Sequence, residues 1–125
     1  MAYTKVIMGG GTSAGQAASI SGGVSTAIAA AGTTQATATA LYPLGLHLIT
    51  TCAAGAGVQI AAGAVGDSLV VFNGGVGTCV VYPPTGGKIN NLATNAGANL
   101  APNTAIEFFC GSSTTTPQWI GILSA

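Results

Sequence analysis

The side chains that could take part in catalysis are few and are spread along the whole sequence. A serine or cysteine nucleophile needs a histidine within hydrogen-bonding reach, and the 125-residue chain contains one histidine, His47. In an extended segment His47 and Cys52 are five residues apart, which places their side chains on opposite faces. We therefore expect His47 to be a solvated or hydrogen-bonded strand residue, and we predict no catalytic residue.

Asp67 and Glu107 are the two carboxylate side chains, so a pair of the kind used by glycosidases would have to consist of them. Asp67 follows a glycine at the start of a predicted strand, a position typical of turn capping. Glu107 lies in the middle of another predicted strand, where an exposed face suits it better than a catalytic centre. The shortage of ionisable residues argues against an enzyme.

Three cysteines, Cys52, Cys79 and Cys110, raise the question of a metal site or a disulfide. With His47 they would make a Cys₃His set, but no pair has the short C-x₂₋₄-C spacing that builds half a zinc site on one turn. Their odd number and wide spacing are also unlike a secreted disulfide framework. We expect buried free thiols, no metal and no cofactor; a disulfide between subunits is the alternative.

Composition argues against several classes of partner. Lys5 and Lys88 are the two basic residues, too few to neutralise a row of phosphates, so we expect no nucleic-acid partner. Polar residues or proline interrupt every window of ~20 residues, so no transmembrane helix and no membrane partner are predicted. Val6–Met8 is too short for a signal peptide. The glycine runs Gly9–Gly11 and Gly74–Gly77 lack the residues that follow a phosphate loop.

The surface is predicted to be almost uncharged. Charged residues make up 3% of the chain, whereas a typical soluble domain has roughly a quarter. So little charge provides little electrostatic repulsion between copies, and we expect neighbours in an assembly to cover most of the apolar surface. The composition thus predicts an oligomer or a lattice.

The strongest strand signals are Leu69–Phe72 and Thr78–Tyr82, two runs rich in β-branched and aromatic residues. Gly74–Gly77 lies between them, and its glycines could adopt the positive φ angles of a tight reversal. The segment therefore predicts an antiparallel hairpin. Pro83–Gly87 predicts a second reversal, followed by a third short strand over Lys88–Leu92.

Further strands are predicted where apolar residues alternate with polar or small ones. The alternation begins at Gln35, and turn signals recur about every 8–12 residues, as is typical of all-β domains. The pattern predicts an all-β domain over residues 36–125, a sandwich or jelly-roll-like antiparallel structure. The remaining predicted strands are Gln35–Tyr42, Leu46–Cys52, Gly57–Ala61, Thr104–Cys110 and Gln118–Leu123.

Residues 1–35 contain few large apolar side chains and are predicted to form an extended N-terminal arm that neighbouring proteins hold in place. Within the arm, Ser25–Ala31 could form a short helix, with Ser25 as its N-cap and Gly32 just past its end. The side chains expected to contact a partner protein or another subunit are Tyr3, Lys5, Val6, Ile7, Met8, Ile20, Val24 and Ile28.

The last predicted strand is apolar on both faces, with Trp119 on one face and Ile120 and Ile122 on the other. Such a strand is expected where one face packs on a neighbouring subunit, so these three residues are the candidate subunit interface. Trp119, Phe108 and Phe109 could instead form a sugar-stacking platform, although aromatic residues in alternating strands more often belong to the core.

Four segments form a pattern when they are taken together: Leu69–Val71, Val81–Asn90 with the sequence VYPPTGGKIN, Pro102–Thr104 and Gln118–Trp119. This pattern resembles the small structural proteins of tailed-bacteriophage virions. Ile28–Leu41 resembles the beginning of their β domain, so the resemblance covers about residues 28–123.

The resemblance implies a compact β domain displayed on the phage head, a capsid decoration (cement) protein without enzymatic activity. It also implies a homo-oligomer, in particular a trimer, bound to the major capsid protein or another virion protein after synthesis in the host cytoplasm. The N-terminal arm would lie along the capsid. The alternative is a carbohydrate-binding module of a phage tail or fibre, with Trp119 and Tyr82 in contact with a glycan.

Overall fold

The computed structural model describes residues 24–124 of the chain. Ten strands form two sheets, and a 3-10 turn at Gln35–Thr37 is the only helical element in this described part. The all-β prediction is confirmed. In chain order the strands are β1 (Val24–Ala29), β2 (Thr39–Leu41), β3 (Gly45–Thr51), β4 (Gly57–Ile60), β5 (Ser68–Asn73), β6 (Cys79–Tyr82), β7 (Lys88–Ile89), β8 (Ala98–Leu100), β9 (Ala105–Ser112) and β10 (Gln118–Leu123).

Most predicted strands lie where the alternation of side chains placed them, with ends that differ by one or two residues. β5, for example, alternates half-buried and buried side chains over all six of its residues. The predicted strand at Lys88–Leu92 is shorter than expected and pairs only over Lys88–Ile89. Asn90 has a positive φ of 49°, which turns the chain out of the strand.

Over residues 24–82, termed the parallel half, the chain winds three times between the two sheets. β1, β3 and β5 are parallel neighbours in the six-stranded sheet, and β2, β4 and β6 are parallel neighbours in the four-stranded sheet. Leu46 of β3, for instance, is in register with Val24 on one side and Val70 on the other. The prediction of an antiparallel domain is therefore wrong for this half.

Residues 83–124, termed the C-terminal half, add strands to both sheets. β8 pairs with β6, and β9 pairs with both β5 and β10; these three pairs are antiparallel. β7 lies parallel to β10. The six-stranded order is β1-β3-β5-β9-β10-β7 and the four-stranded order is β2-β4-β6-β8, so among residues 24–124 the outermost strands of the larger sheet are β1 and β7.

The predicted hairpin around Gly74–Gly77 is wrong, because β5 and β6 belong to different sheets. None of the three glycines of this segment has a positive φ. They are needed for close approach instead, since a Cβ atom on Gly77 would overlap the backbone of Ala54. The segment lies directly on the loop of the previous turn of the chain, where the Gly77 N–H donates to the Cys52 carbonyl at 2.9 Å.

The predicted helix at Ser25–Ala31 is also wrong, because Val24–Ala29 is strand β1. So short a helix is marginal by itself, whereas pairing with β3 supplies the backbone with hydrogen-bond partners. The Ala30 N–H extends the pairing by donating to the Thr51 carbonyl at 2.9 Å. The sheet thus begins within the predicted arm, of which residues 1–23 lie outside the described part of the chain.

Both sheets contribute side chains to one hydrophobic core. Its two largest fully buried side chains, Phe108 and Trp119, come from the C-terminal half. Each fully buried large apolar side chain contributes about 1.5–3 kcal/mol. The three cysteines are buried with free thiols, as predicted. The core residues are Leu41, Ile49, Cys52, Ala56, Val58, Ile60, Leu69, Val71, Cys79, Val81, Ile89, Leu100, Ile106, Phe108, Cys110 and Trp119.

Candidate interaction surface

The outward side chains of the six-stranded sheet form the candidate interaction surface. Successive side chains of a strand point to opposite faces of the sheet, and residues in register on adjacent strands point to the same face. One outward residue therefore identifies the outward residues of the neighbouring strands. The registers of β1, β3, β5, β9, β10 and β7 connect these residues across the whole sheet. The surface, termed the outer face, comprises the apolar residues Val24, Leu46, Leu48, Val70, Phe72, Ala105, Phe109, Ile120 and Ile122, the polar residues Thr50, Ser68 and Gln118, and the charged residues Lys88 and Glu107.

Apart from Val24 of β1, which is 54% exposed, the most exposed apolar side chains of the outer face lie in the C-terminal half. Ile122 is 59% exposed, Ile120 44% and Phe109 38%, whereas Leu46 and Val70 are half-buried. These side chains form one apolar area. Its extent across the strands is unusual for a surface facing water, and large exposed apolar patches mark sites of protein interaction.

The prediction for Trp119 is corrected, because its side chain is completely buried in its own chain. Its ring contacts the backbone at Gly63, where an added Cβ atom would lie 3.1 Å from the indole. Phe108 is also fully buried. Neither residue can reach another subunit or stack on a sugar, so the candidate interface on β10 is limited to Ile120 and Ile122.

Two of the predicted contact residues of the arm lie in β1. Val24 is 54% exposed on the outer face, while Ile28 is half-buried against the core. They are therefore sheet residues rather than parts of an extended arm. The other predicted contacts lie outside the described residues: Tyr3, Lys5, Val6, Ile7, Met8 and Ile20.

His47 is hydrogen-bonded, which is one of the two predicted possibilities. It is not solvated, because its side chain is buried. Its Nε2 lies 3.1 Å from the Leu44 carbonyl, and its Nδ1 has no hydrogen-bond partner among the described residues. Burial lowers the pKa of His47, while hydrogen bonds to backbone carbonyls partly oppose that shift. Cys52 is buried as well. It follows the last residue of β3, Thr51, so the alternation of side chains along that strand no longer applies to it.

Cys52 and Cys79 are buried thiols that donate to backbone carbonyls, Cys52 to Ala53 at 3.3 Å and Cys79 to Val80 at 4.0 Å. Burial is the main cause that raises the pKa of the Cys79 thiol to about 12, and the neighbouring Cys52 raises it further. Burial also raises the pKa of Cys110. Thiols of this kind stay protonated near neutral pH and are poor nucleophiles. Within residues 24–124, no three His, Cys, Asp or Glu side chains come close enough to hold a metal ion.

The two carboxylates occupy different environments. Asp67 accepts a hydrogen bond from the Ala64 N–H at 2.8 Å, which confirms the predicted turn cap. Glu107 is exposed on the outer face, as its place in a half-exposed strand predicted. In the sheet it lies beside Val70 of β5 and Ile122 of β10, so it is a single charge within the apolar area.

A cleft of about 170 Å³ opens between the ends of the sheets, beside β7 and β8. Its lining is mostly apolar, and Asn90 at its rim already bonds the backbone of Gly121 in both directions, at 3.1 and 2.9 Å. Ligand pockets usually measure ~300–1,000 Å³. The cleft is therefore too small to hold a typical organic cofactor.

Lys88 was not among the predicted interface residues, although the structure places it on the outer face. Its neighbour in register is Gln118. Gln118 lies two residues before Ile120 and four before Ile122 on the same strand, so all three side chains are on the same face. The alternation of β10 was visible in the sequence. That β7 lies beside β10 was not, because no local signal specifies which strands become neighbours.

Neither the protein-family models nor the curated proteins compared with this sequence include a match. No helix within residues 24–124 is long and apolar enough to cross a membrane. The features that bear on function are thus those of the chain itself: a nearly uncharged surface and an apolar outer face.

Proposed function

We propose that this protein is a non-enzymatic structural protein of a bacteriophage virion, a capsid decoration protein that binds and stabilises the phage head as a homo-oligomer, in particular a trimer. The observation that carries the proposal is the apolar outer face in a chain with only 3% charged residues. A surface of this kind suits permanent burial against neighbours better than exposure to solvent. The shared core supports the finer proposal that the two sheets form a sandwich.

Attachment to the capsid is assigned to the N-terminal segment and to the edge of the larger sheet. Within residues 24–124, β1 is an outermost strand of the six-stranded sheet, and four of its first five side chains are exposed. An edge strand presents main-chain groups to which a strand of another protein can add. Residues 1–23 would lie along the capsid, and the β domain would cover the joint between capsid subunits.

The test is deletion of residues 2–23, which leaves β1 and both sheets intact. Heads of the source phage that lack the protein are mixed with the full chain or with the deletion variant, and binding is measured by co-sedimentation. We expect the variant to lose most of its binding while its circular dichroism spectrum stays that of a β protein. Equal binding by both proteins would show that residues 2–23 are not the anchor.

The carbohydrate-binding alternative loses the side chains on which it depended. Trp119 is buried, and Tyr82 is half-buried with its hydroxyl 3.3 Å from the Thr33 carbonyl. The Tyr82 ring also packs against Gly57 and Gly97, where an added Cβ atom would lie 2.8 and 3.0 Å from the ring carbons. No stacking surface is left at these two positions. Binding of the full chain to a glycan array would nevertheless be evidence for the carbohydrate-binding alternative.

A further inference from the structure

The outer face carries one carboxylate and one ammonium group, half of the four charged side chains of the chain. Lys88 is in register with Gln118, and Glu107 is in register with Ile122. Lys88 and Glu107 are thus separated by two strand spacings and four residues along a strand, roughly 16 Å. This separation exceeds the Debye length of ~8 Å, so the two charges do not neutralise each other within one chain.

Glu107 has apolar neighbours on both adjacent strands and along its own strand. Val70 and Ile122 lie beside it, and Phe109 is the next outward residue of β9. A partner that covered these side chains would also strip water from the carboxylate. That desolvation is costly unless the partner brings a cation to the same place.

We infer that the outer face is a contact surface between two copies of this chain, in which Glu107 of one copy pairs with Lys88 of the other. The face is complementary to itself, because each copy supplies both the carboxylate and the cation that the facing copy requires. A partner without a cation at the facing position would leave Glu107 buried and unpaired. The inference adds to the homo-oligomer of the proposed function a two-fold contact, distinct from the three-fold contacts that would build a trimer. It rests on the proposed function for biological purpose only, since no capsid is needed for the contact.

The size of the outer face is sufficient for a modest association. Five strands of six to eight residues and the two-residue β7, at ~3.3 Å per residue and ~4.8 Å between strands, give a face of roughly 550 Å² per copy. Two such faces bury roughly 1,100 Å², which exceeds the ~1,000 Å² expected of a biological interface but lies below the ~1,200 Å² of standard ones. In an interface of this size, one ion pair contributes substantially to the choice of partner. Its disruption is therefore expected to raise the dissociation constant measurably.

A charge-swap experiment on the full chain tests the inference by sedimentation equilibrium over a range of concentrations. Glu107→Lys places two lysines together at each contact, and Lys88→Glu places two glutamates together. We expect each single variant to raise the dissociation constant at least about tenfold. The double variant E107K/K88E restores opposite charges and is expected to return the constant to within about threefold of the original.

The matched control is Ala40→Lys, which adds the same charge to an exposed position of β2 on the other sheet. It should leave the dissociation constant unchanged. Circular dichroism and thermal unfolding show that all variants fold, as expected for substitutions outside the core.

Three outcomes would overturn the inference. The single variants could associate like the unmodified chain, or the double variant could remain as dissociated as the single ones. The unmodified chain could also be monomeric and associate only after deletion of residues 2–23, which would mean that its own N-terminal segment covers the face. Loss of capsid binding with normal self-association would instead count against the proposed function alone.

Discussion

The parallel half and the C-terminal half build the same two sheets by different kinds of packing. In the parallel half, successive turns of the chain lie directly on one another, and glycines at Gly75 and Gly77 permit the backbones to touch. In the C-terminal half, large side chains such as Phe108 and Trp119 fill the space between the sheets. The comparison shows that close backbone approach limits side-chain size in one half, while side-chain volume stabilises the other.

The two halves also differ in what they present outward. The most exposed apolar side chains of the outer face, apart from Val24, belong to β9 and β10, and so does Glu107. β3 and β5 contribute half-buried residues to the same face. The C-terminal half therefore combines the largest core residues with the surface that we assign to self-association.

Removal of core volume from the C-terminal half should have the largest effect on stability. Trp119→Ala is expected to lower the free energy of unfolding by about 3–5 kcal/mol, because the neighbours of a buried indole cannot fill the cavity. Urea denaturation measures the change. Val76→Ala removes apolar atoms from a side chain that is 95% exposed and should change stability by less than about 0.5 kcal/mol. Similar losses in both variants would refute the assigned position of Trp119.

Addition of a single methyl group to the parallel half should have the next largest effect. Gly77→Ala is expected to cost about 2–3 kcal/mol, since its Cβ atom would overlap the backbone of Ala54. Gly111→Ala in β9 is the matched control, because its Cβ atom would have no neighbour closer than 3.7 Å. Thermal unfolding of both variants measures the contrast. Equal tolerance at the two sites would remove the distinction between the halves.

Asn73 connects the two halves and gives a smaller predicted effect. Its amide donates to the carbonyls of Gly77 and Leu100, and its Oδ1 accepts from the Gly75 N–H, each at 2.9 Å. Asn73→Ala leaves these buried groups unpaired and is expected to cost about 2 kcal/mol. Asn99→Ala, at an exposed position of β8, serves as the control for urea denaturation. A neutral result for Asn73→Ala would mean that the halves do not depend on this link.

The smallest predicted effect is a pH dependence that originates in the parallel half. His47 has a lowered pKa in the folded chain, so below its ordinary value of about 6.5 the unfolded chain binds more protons. Stability is then fully present above that pH and falls as the pH decreases toward the folded pKa, by at most about 1.4 kcal/mol per pH unit. Unfolding measured between pH 7.5 and 5 should show this slope, and His47→Gln should lack it. An unchanged slope in the variant would assign the effect to another group.

Local patterns in the sequence were sufficient to locate most of the strands. β-branched and aromatic runs placed β5 and β6, the turn after Tyr82 was identified from its prolines and glycines, and Asp67 was identified as a turn cap. These predictions succeeded because propensity, turn chemistry and capping depend on residues that are adjacent in the chain. Asn73 was missed as a link between the halves, since its bond to the Leu100 carbonyl joins residues 27 apart in the chain, whereas Gly75 and Gly77 lie only two and four residues from it.

The neighbours of each strand could not be read from the same patterns. Gly74–Gly77 has the composition of a tight reversal, yet its glycines serve the stacking of successive turns. Val24–Ala29 contains several small or polar side chains, so it was not identified as a strand from the sequence. Its backbone becomes a strand by pairing with β3. Trp119 was placed on one face of an apolar strand, but which face meets the core depends on the position of β10 beside β9.

The sequence by itself determined an all-β chain with little charge, the positions of most strands and the side chains that share a face. The tertiary structure alone decided that the first six strands pair in parallel within each sheet, that Trp119 is inside, and that Lys88 and Glu107 share the outer face. The physical reason is the period of two in a β-strand, which sorts side chains between two faces but is the same for parallel and antiparallel pairing. Pairing is selected by contacts between residues distant in the chain, and these exist only once the sheets have formed.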